Sequence, residues 1–255
     1  MDASDLRLKI REGKLDRPTS GLAPGLVQAN LIALPKDVAF DFLLFATRNP
    51  KPCPILDVLE PGHFESALAK GSDIRSDIAR YRLYEQGELK EELKDVRDIY
   101  KNDLYGFLVG CSFSFEQALI SQNIELRHVK ECKNVAMYKT SIPCASAGLF
   151  KSNMVVSMRP IKCKEVAKAI EISSSFPSVH GGPVHVGSPE LIGIHDINKP
   201  DYGEAVEIKD DELPVFWACG VTPQLAVLSS KIDFAITHAP GFMFLTDVKD
   251  EAYRI

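Results

Sequence analysis

Residues 106–119, Gly-Phe-Leu-Val-Gly-Cys-Ser-Phe-Ser-Phe-Glu-Gln-Ala-Leu, constrain the fold more than any other stretch. Phe107, Leu108 and Val109 form a short apolar run after the polar Lys101-Asn102-Asp103, which suits a buried strand. Gly110 permits a tight exit from that strand. Ser114 and Gln117 have the S-x-x-Q spacing of a capping box that opens a helix. Cys111 and Ser112 therefore fall on a strand-to-helix turn, where unpaired N–H groups and the helix dipole favour an anion. An open α/β sheet usually places its ligand at such a turn.

A second stretch repeats the design. Leu213-Pro214-Val215-Phe216-Trp217-Ala218 reads as an apolar strand, followed by Cys219-Gly220-Val221 and the helix start Thr222-Pro223-Gln224. Thr222 suits the N-cap and Pro223 the first helical position. Strand alternation puts Trp217 and Cys219 on one face. Two such turns are able to face one polar pocket; the plainer alternative is that both cysteines pack as small buried hydrophobes.

The rest of the chain is of ordinary globular composition, 45% hydrophobic and 25% charged over 255 residues, ample for one large domain or two lobes. The net charge of −5, without a dense Lys/Arg block, argues against nucleic acid and anionic membrane as partners. A locally basic pocket for an acidic small molecule remains compatible with it. No apolar run approaches a membrane span, and Met1-Asp2-Ala3-Ser4-Asp5 lacks the basic start of a secretory signal. The six cysteines are dispersed without C-x-x-C, which points to reduced thiols in the cytoplasm. A homo-oligomer stays open.

In chain order, residues 4–13 read as a short helix and residues 26–34 as a strand carrying the amides Gln28 and Asn30 on one face. Buried amides need partners, whether a ligand or a structural network. A helix opens at Pro35 and stops near Arg48-Asn49-Pro50, and Lys51-Pro52-Cys53-Pro54 continues as a stiff segment. Arg48 and Lys51, separated by proline in a stiff stretch, suit recognition of a carboxylate; a simple helix-terminal charge is the alternative. Arg75 and Asp77 form either a pocket pair or a surface ion pair. Residues 124–142 read as strands with polar joints, and residues 163–172 as a helix. Histidines then sit in loops: His180-Gly181-Gly182-Pro183-Val184-His185, His195-Asp196, and Thr237-His238-Ala239-Pro240-Gly241. Their spacing matches no common metal pattern, so the sequence requires no cofactor, with a divalent metal left as an alternative.

Several of these stretches, taken together, resemble the hydro-lyase family that includes D-glutamate cyclase. They are Asp41-Phe42-Leu43-Leu44-Phe45, Arg48 to Pro54, Asp73-Ile74-Arg75-Ser76-Asp77, Gly110 to Glu116, His180 to His185, Trp217 to Gln224 and Thr237 to Gly241. The resemblance implies an α/β fold, a mixed sheet with helices in two lobes. The main lobe would span residues 1–130 plus 206–255 and a smaller inserted α+β lobe residues 131–205. It also implies amino-acid metabolism and a small carboxylate or amino-acid substrate that loses water, such as D-glutamate closing to 5-oxo-D-proline. Such a site needs a base, oxyanion donors and a carboxylate anchor. The candidates are His180, His185 or His238 as acid or base, and Cys111 and Cys219 at the two turns. Asn30, Arg48, Asn49, Arg75, Ser112, Ser114, Thr222 and Gln224 are candidates to bind substrate. Two other functions stay open: an amino-acid racemase using Cys111 and Cys219 as opposed acid and base, and a non-catalytic small-carboxylate binding protein.

Overall fold

The strand β1 (Leu26–Pro35) decides the architecture, because eight of its ten residues are buried. A strand buried on both faces has to be central. In the computed structural model, which describes residues 2–255, β1 lies between β5 (Leu104–Gly110) on one side and β10 (Ala235–His238) with β11 (Phe244–Lys249) on the other. The sheet is completed by β2 (Ile55–Leu59), β3 (Tyr81–Glu85) and β4 (Glu88–Leu93), in the order β2-β5-β1-β10-β3-β4 with β11 also on β1. Alternation along β1 sorts its side chains. Ile32 and Leu34 join a core with Phe42, Phe45, Phe107 and Phe150, while Leu31 and Ala33 join one with Leu108, Tyr81 and Ile74. Each fully buried Leu, Ile or Phe stabilises the fold by roughly 1.5–3 kcal/mol.

A second sheet takes the order β6-β7-β9-β8, from β6 (Ala136–Pro143), β7 (Asn153–Lys162), β8 (His185–Val186) and β9 (Glu212–Ala218). The molecule is thus α/β, sheets covered by helices; every registered strand pair is antiparallel. Antiparallel neighbours end at opposite edges of a sheet, so the site does not arise from a row of carboxyl ends, as it would in a doubly wound sheet.

The helices are α1 (Ala3–Arg11), α2 (Lys36–Arg48), α3 (Glu116–Ser121), α4 (Arg127–Lys130), α5 (Val166–Ser174) and α6 (Thr222–Ser230). In α2, Ala39, Phe42, Phe45 and Ala46 recur at helical spacing and face the first core, with the Phe42 and Phe107 rings edge-on at 4.8 Å. The expectation of strands throughout residues 124–142 is corrected by α4, a single turn whose Arg127 bonds Glu212 of β9 at 2.6 Å. Among the described residues no helix is long and apolar enough to cross a membrane.

The sheets meet where β5 ends. A Cβ added to Gly110 would collide with the Ser178 carbonyl and stand 3.2 Å from the Val179 Cα. Both are backbone atoms that cannot swing aside. Gly110→Ala should therefore destabilise the protein by about 1–3 kcal/mol, the usual range for overpacking. Urea unfolding with an unchanged m-value checks it, and an unaltered midpoint would refute this close approach.

Candidate active site at the junction of two cysteine turns

Both cysteine turns form as strand exits, but the hydroxyls expected to cap their helices are used elsewhere. Residues 112–115 make a 3-10 turn after β5, and the Phe113 N–H is directed at the Cys111 Sγ at 3.5 Å. Ser114 Oγ instead accepts from the Gln28 N–H at 3.0 Å, and α3 begins at Glu116. Thr222 is the first residue of α6 rather than its cap, and its Oγ1 accepts from the Val155 N–H at 3.0 Å. In each case a hydroxyl near a helix start is taken by a buried strand N–H instead. Cys111 and Cys219 share one buried apolar cluster with Val155, Val221 and Met243.

Asn30 couples the two turns. Its Nδ2 donates to the carbonyls of Val109 at 3.1 Å and Gly110 at 2.8 Å. A Cβ on Gly220 would collide with the same amide, so glycine is what lets the second turn close on Asn30. Burial pushes the Cys219 thiol up to about 11 and the Cys111 thiol well above the ordinary range, against the opposing pull of Arg159 on both. Both sulfurs are thiols at neutral pH.

Arg159 was not among the residues the sequence singled out, and it lies at the centre. It projects from β7 with none of its side chain exposed. Its guanidinium donates to Glu116 Oε1 at 2.6 and 3.1 Å, to Ser112 Oγ at 3.1 Å and to Ser157 Oγ at 3.0 Å. His128 Nε2 meets the same Glu116 oxygen at 2.9 Å. Burial opposes the Glu116 charge, yet His128 and Arg159 together hold its carboxyl below the ordinary carboxylate range. A lone arginine in the apolar run Met154 to Ile161 was the available signal, since a charge in a buried strand demands a partner.

His180 closes the junction on the side of Gly110. It has left-handed backbone, φ 82°, which turns the loop back onto the sheet. Its Nδ1 stands 2.8 Å from the Lys51 carbonyl, so Nδ1 carries the proton and Nε2 keeps a lone pair. That Nε2 is buried without a hydrogen-bond partner. Burial lowers the His180 pKa to about 4; the carbonyls of Lys51 and Gly110 oppose the shift, and the cations Lys51 and Arg159 add to it. A neutral imidazole thus lies beside the Cys111 turn, its Nε2 outside hydrogen-bond geometry but near enough to the Gly110 carbonyl for that dipole to favour a proton on the ring.

A family model described as D-glutamate cyclase matches residues 105–247. A protein of Geobacillus kaustophilus named "Putative hydro-lyase" is 56% identical over 98% of this chain and 96% of its own length. A namesake from Bacillus subtilis is 53% identical over 100% of both chains, and another from Acinetobacter baumannii is 55% identical over 98% and 94%. The chain belongs to the hydro-lyase family that includes D-glutamate cyclase. A nitrogen repressor-like protein of Methanococcus jannaschii covers 95% of the chain at 10% identity and TM-score 0.41, too remote a likeness to carry an argument.

In this hydro-lyase family member the remaining sequence candidates lie elsewhere. His238, buried on β10, is held by the Leu31 carbonyl at 3.2 Å, and Gln224 Nε2 donates to the His238 carbonyl at 2.9 Å. The pair ties α6 to the first sheet. His185 lies on β8, its Nε2 2.8 Å from the Ser188 carbonyl and its ring against Phe216. Arg48 is exposed and donates to the Ser146 carbonyl, while Asn49 exchanges two bonds of 2.8 Å with the Ala145 backbone. Arg75 is bound by Asp73 at 2.7 Å and stacked on Phe64 at 3.5 Å. All three thus have structural partners, and none contacts the cysteine turns. The shared face expected for Trp217 and Cys219 is also corrected. β9 ends at Ala218, and Trp217 instead packs beside Phe115, its Nε1 donating to Ser173 Oγ at 3.0 Å. Among the described residues no three His, Cys, Asp or Glu side chains are grouped to hold a metal.

Burial lowers the pKa of both His180 and His238 from 6.5 to about 4. Folded pKa values below the unfolded ones mean that the unfolded chain binds more protons between pH 6.5 and about 4. Stability should therefore be full above pH 6.5 and fall as pH drops, by about 1.4 kcal/mol per pH unit for each histidine. Urea midpoints measured across that window check it. Replacing His238 by Gln should reduce the slope by about half, and an unchanged slope would contradict the assignment.

Proposed function

We propose that this protein eliminates water from a small carboxylate at the junction of the Cys111 and Cys219 turns, and that D-glutamate is the first substrate to test. Family membership supports the reaction class. The observation that carries the site is the His180 Nε2, a buried lone pair without a partner, fixed by the Lys51 carbonyl beside the Cys111 turn.

In the cyclisation, the substrate ammonium gives up a proton and its nitrogen attacks the side-chain carboxyl carbon. A C–N bond forms, the C–O bond breaks, and the oxygen leaves as water. The nitrogen loses two protons in all, one before attack and one from the adduct. His180 passes each in turn to the departing carboxylate oxygen, which needs both to leave as water, so the protein ends unchanged. The imidazole is neutral at pH 7; burial and the cations Lys51 and Arg159 weaken it as a base, and a substrate carboxylate beside Lys51 offsets their effect. The developing oxyanion needs N–H donors. Those of Phe113 and Ser114 are directed at Cys111 Sγ and the Cys111 carbonyl, and that of Thr222 at the Cys219 carbonyl. Ser112 and Gly220 supply the N–H groups that remain. Arg159 sets the orientation of Ser112 through its hydroxyl.

A racemase working through Cys111 and Cys219 requires one sulfur to be a thiolate. Burial opposes that at both positions. A non-catalytic binding protein would use the same turns without turnover.

The test is product analysis by chiral chromatography and proton NMR, with D-glutamate and a panel of small amino and hydroxy acids. The expected result is 5-oxo-D-proline or another dehydrated acid, with His180→Asn lowering kcat by about 10²–10⁴. Cys111→Ala and Cys219→Ala should lower activity only modestly. Cα-proton exchange in deuterated water, lost in both cysteine variants, would instead establish the racemase. Absence of any product across the panel would favour the binding protein.

A further inference from the structure

Behind His180 lies a cavity of about 460 Å³, lined by Pro50, Lys51, Ser174, Pro177, His180 and Gly182 among others. Lys51 is the only acidic or basic side chain in that lining other than His180. Its ammonium makes no ion pair or hydrogen bond with any described residue. It is half-buried, and burial lowers its pKa. The buried cations of the molecule's second sheet region, Arg159 and Arg127, each have a carboxylate at 2.6 Å. A desolvated cation without a counter-ion is costly, and an anion entering the cavity relieves that cost.

Glycines let the walls approach closely at this point. A Cβ on Gly182 would collide with Ser174 Oγ, and one on Gly181 would stand 4.0 Å from Lys51 Nζ. Lys51 itself has little freedom, because prolines flank it on both sides and Asn49 is fastened to Ala145 by paired hydrogen bonds. The Lys51 carbonyl orients the His180 ring while its ammonium lies in the cavity lining. One residue therefore fixes both the tautomer of the imidazole and the charge beside it.

We propose that this cavity is a carboxylate-binding site in which Lys51 Nζ is the anchor, holding a small dicarboxylate against the His180 wall. This rests on the hydro-lyase reading for its second half, that the anchored acid is the substrate; the binding itself does not. It also reassigns the anchor from the arginines: Arg48 and Arg75 are engaged elsewhere, and Lys51 lies three residues beyond Arg48, across Pro50. The ligand class follows from the site. A single ammonium with glycine and serine walls suits one carboxylate, and the locally positive field of Lys51 and Arg159 acts on a chain whose net charge is −5.

The experiment uses the full chain and glutarate, a dicarboxylate that lacks the amine and cannot cyclise. Binding is followed by calorimetry and by emission of Trp217, the only tryptophan, whose Nε1 donates to Ser173 next to the cavity residue Ser174. Four proteins are compared: wild type, Lys51→Met, Lys51→Arg and Lys151→Met, the last removing a lysine from a separate polar cavity of about 470 Å³. Glutarate is expected to bind wild type and Lys151→Met equally. Lys51→Met should weaken binding roughly ten- to hundredfold, the range for losing a charge-assisted bond, and Lys51→Arg should restore much of it. Circular dichroism and urea midpoints confirm that each variant is folded. Equal binding by wild type and Lys51→Met, or no binding of glutarate to any of the four, overturns the site. Lys51-dependent binding without turnover of any acid leaves the site standing and removes the hydro-lyase reading instead.

Discussion

The Glu116–Arg159 ion pair is the interaction on which the junction depends. Glu116 opens the helix after β5, in the first sheet; Arg159 projects from β7, in the second. Neither charge is solvated, so each is tolerable only because the other is present, with His128, Ser112 and Ser157 satisfying further valences. Removing one member of such a pair typically costs about 3–5 kcal/mol, because it strands the other. The guanidinium also lies to one side of the paired rings of Phe115 and Trp217, at 5.5 and 5.4 Å from their centroids. The pair therefore fixes the distance and angle between the Cys111 turn and the second sheet.

The same charge shapes the chemistry around it. Arg159 disfavours an imidazolium at His180 and opposes the rise of both thiol pKa values. Packing, not hydrogen bonding, sets how near these groups come. Gly110 admits the Ser178–Val179 backbone, and Gly220 admits the Asn30 amide. A methyl group at either position would push apart elements that come from distant parts of the chain. Function and stability are thus tied at the same few residues.

Much of this was legible in the sequence, for identifiable reasons. The two strand–cysteine–helix turns follow from local signals: an apolar run, a glycine and helix-favouring residues within a dozen positions. Those signals do not say which oxygen satisfies which N–H. Ser114 and Thr222 were legible as hydroxyls near helix starts, but tertiary neighbours, Gln28 and Val155, hold them. Arg48, Asn49 and Arg75 have the right chemistry for a carboxylate, yet their backbone and Asp73 partners come only from the folded chain. His180, His185 and His238 were indistinguishable in sequence because neighbouring Gly and Pro make all three read as loop, although His185 and His238 lie on β8 and β10. Arg159 escaped notice because its partners Glu116 and Ser112 lie over 40 residues away.

The account turns on the state of one ring. ¹⁵N NMR of histidine-labelled protein, with the His180 signals assigned by their loss in His180→Gln, reads that state directly between pH 5.5 and 8. A neutral ring with the proton on Nδ1 throughout this range is the result that the burial and the Lys51 carbonyl predict. An imidazolium at pH 7, or a proton on Nε2, would remove the free lone pair and contradict the role of His180 as the base.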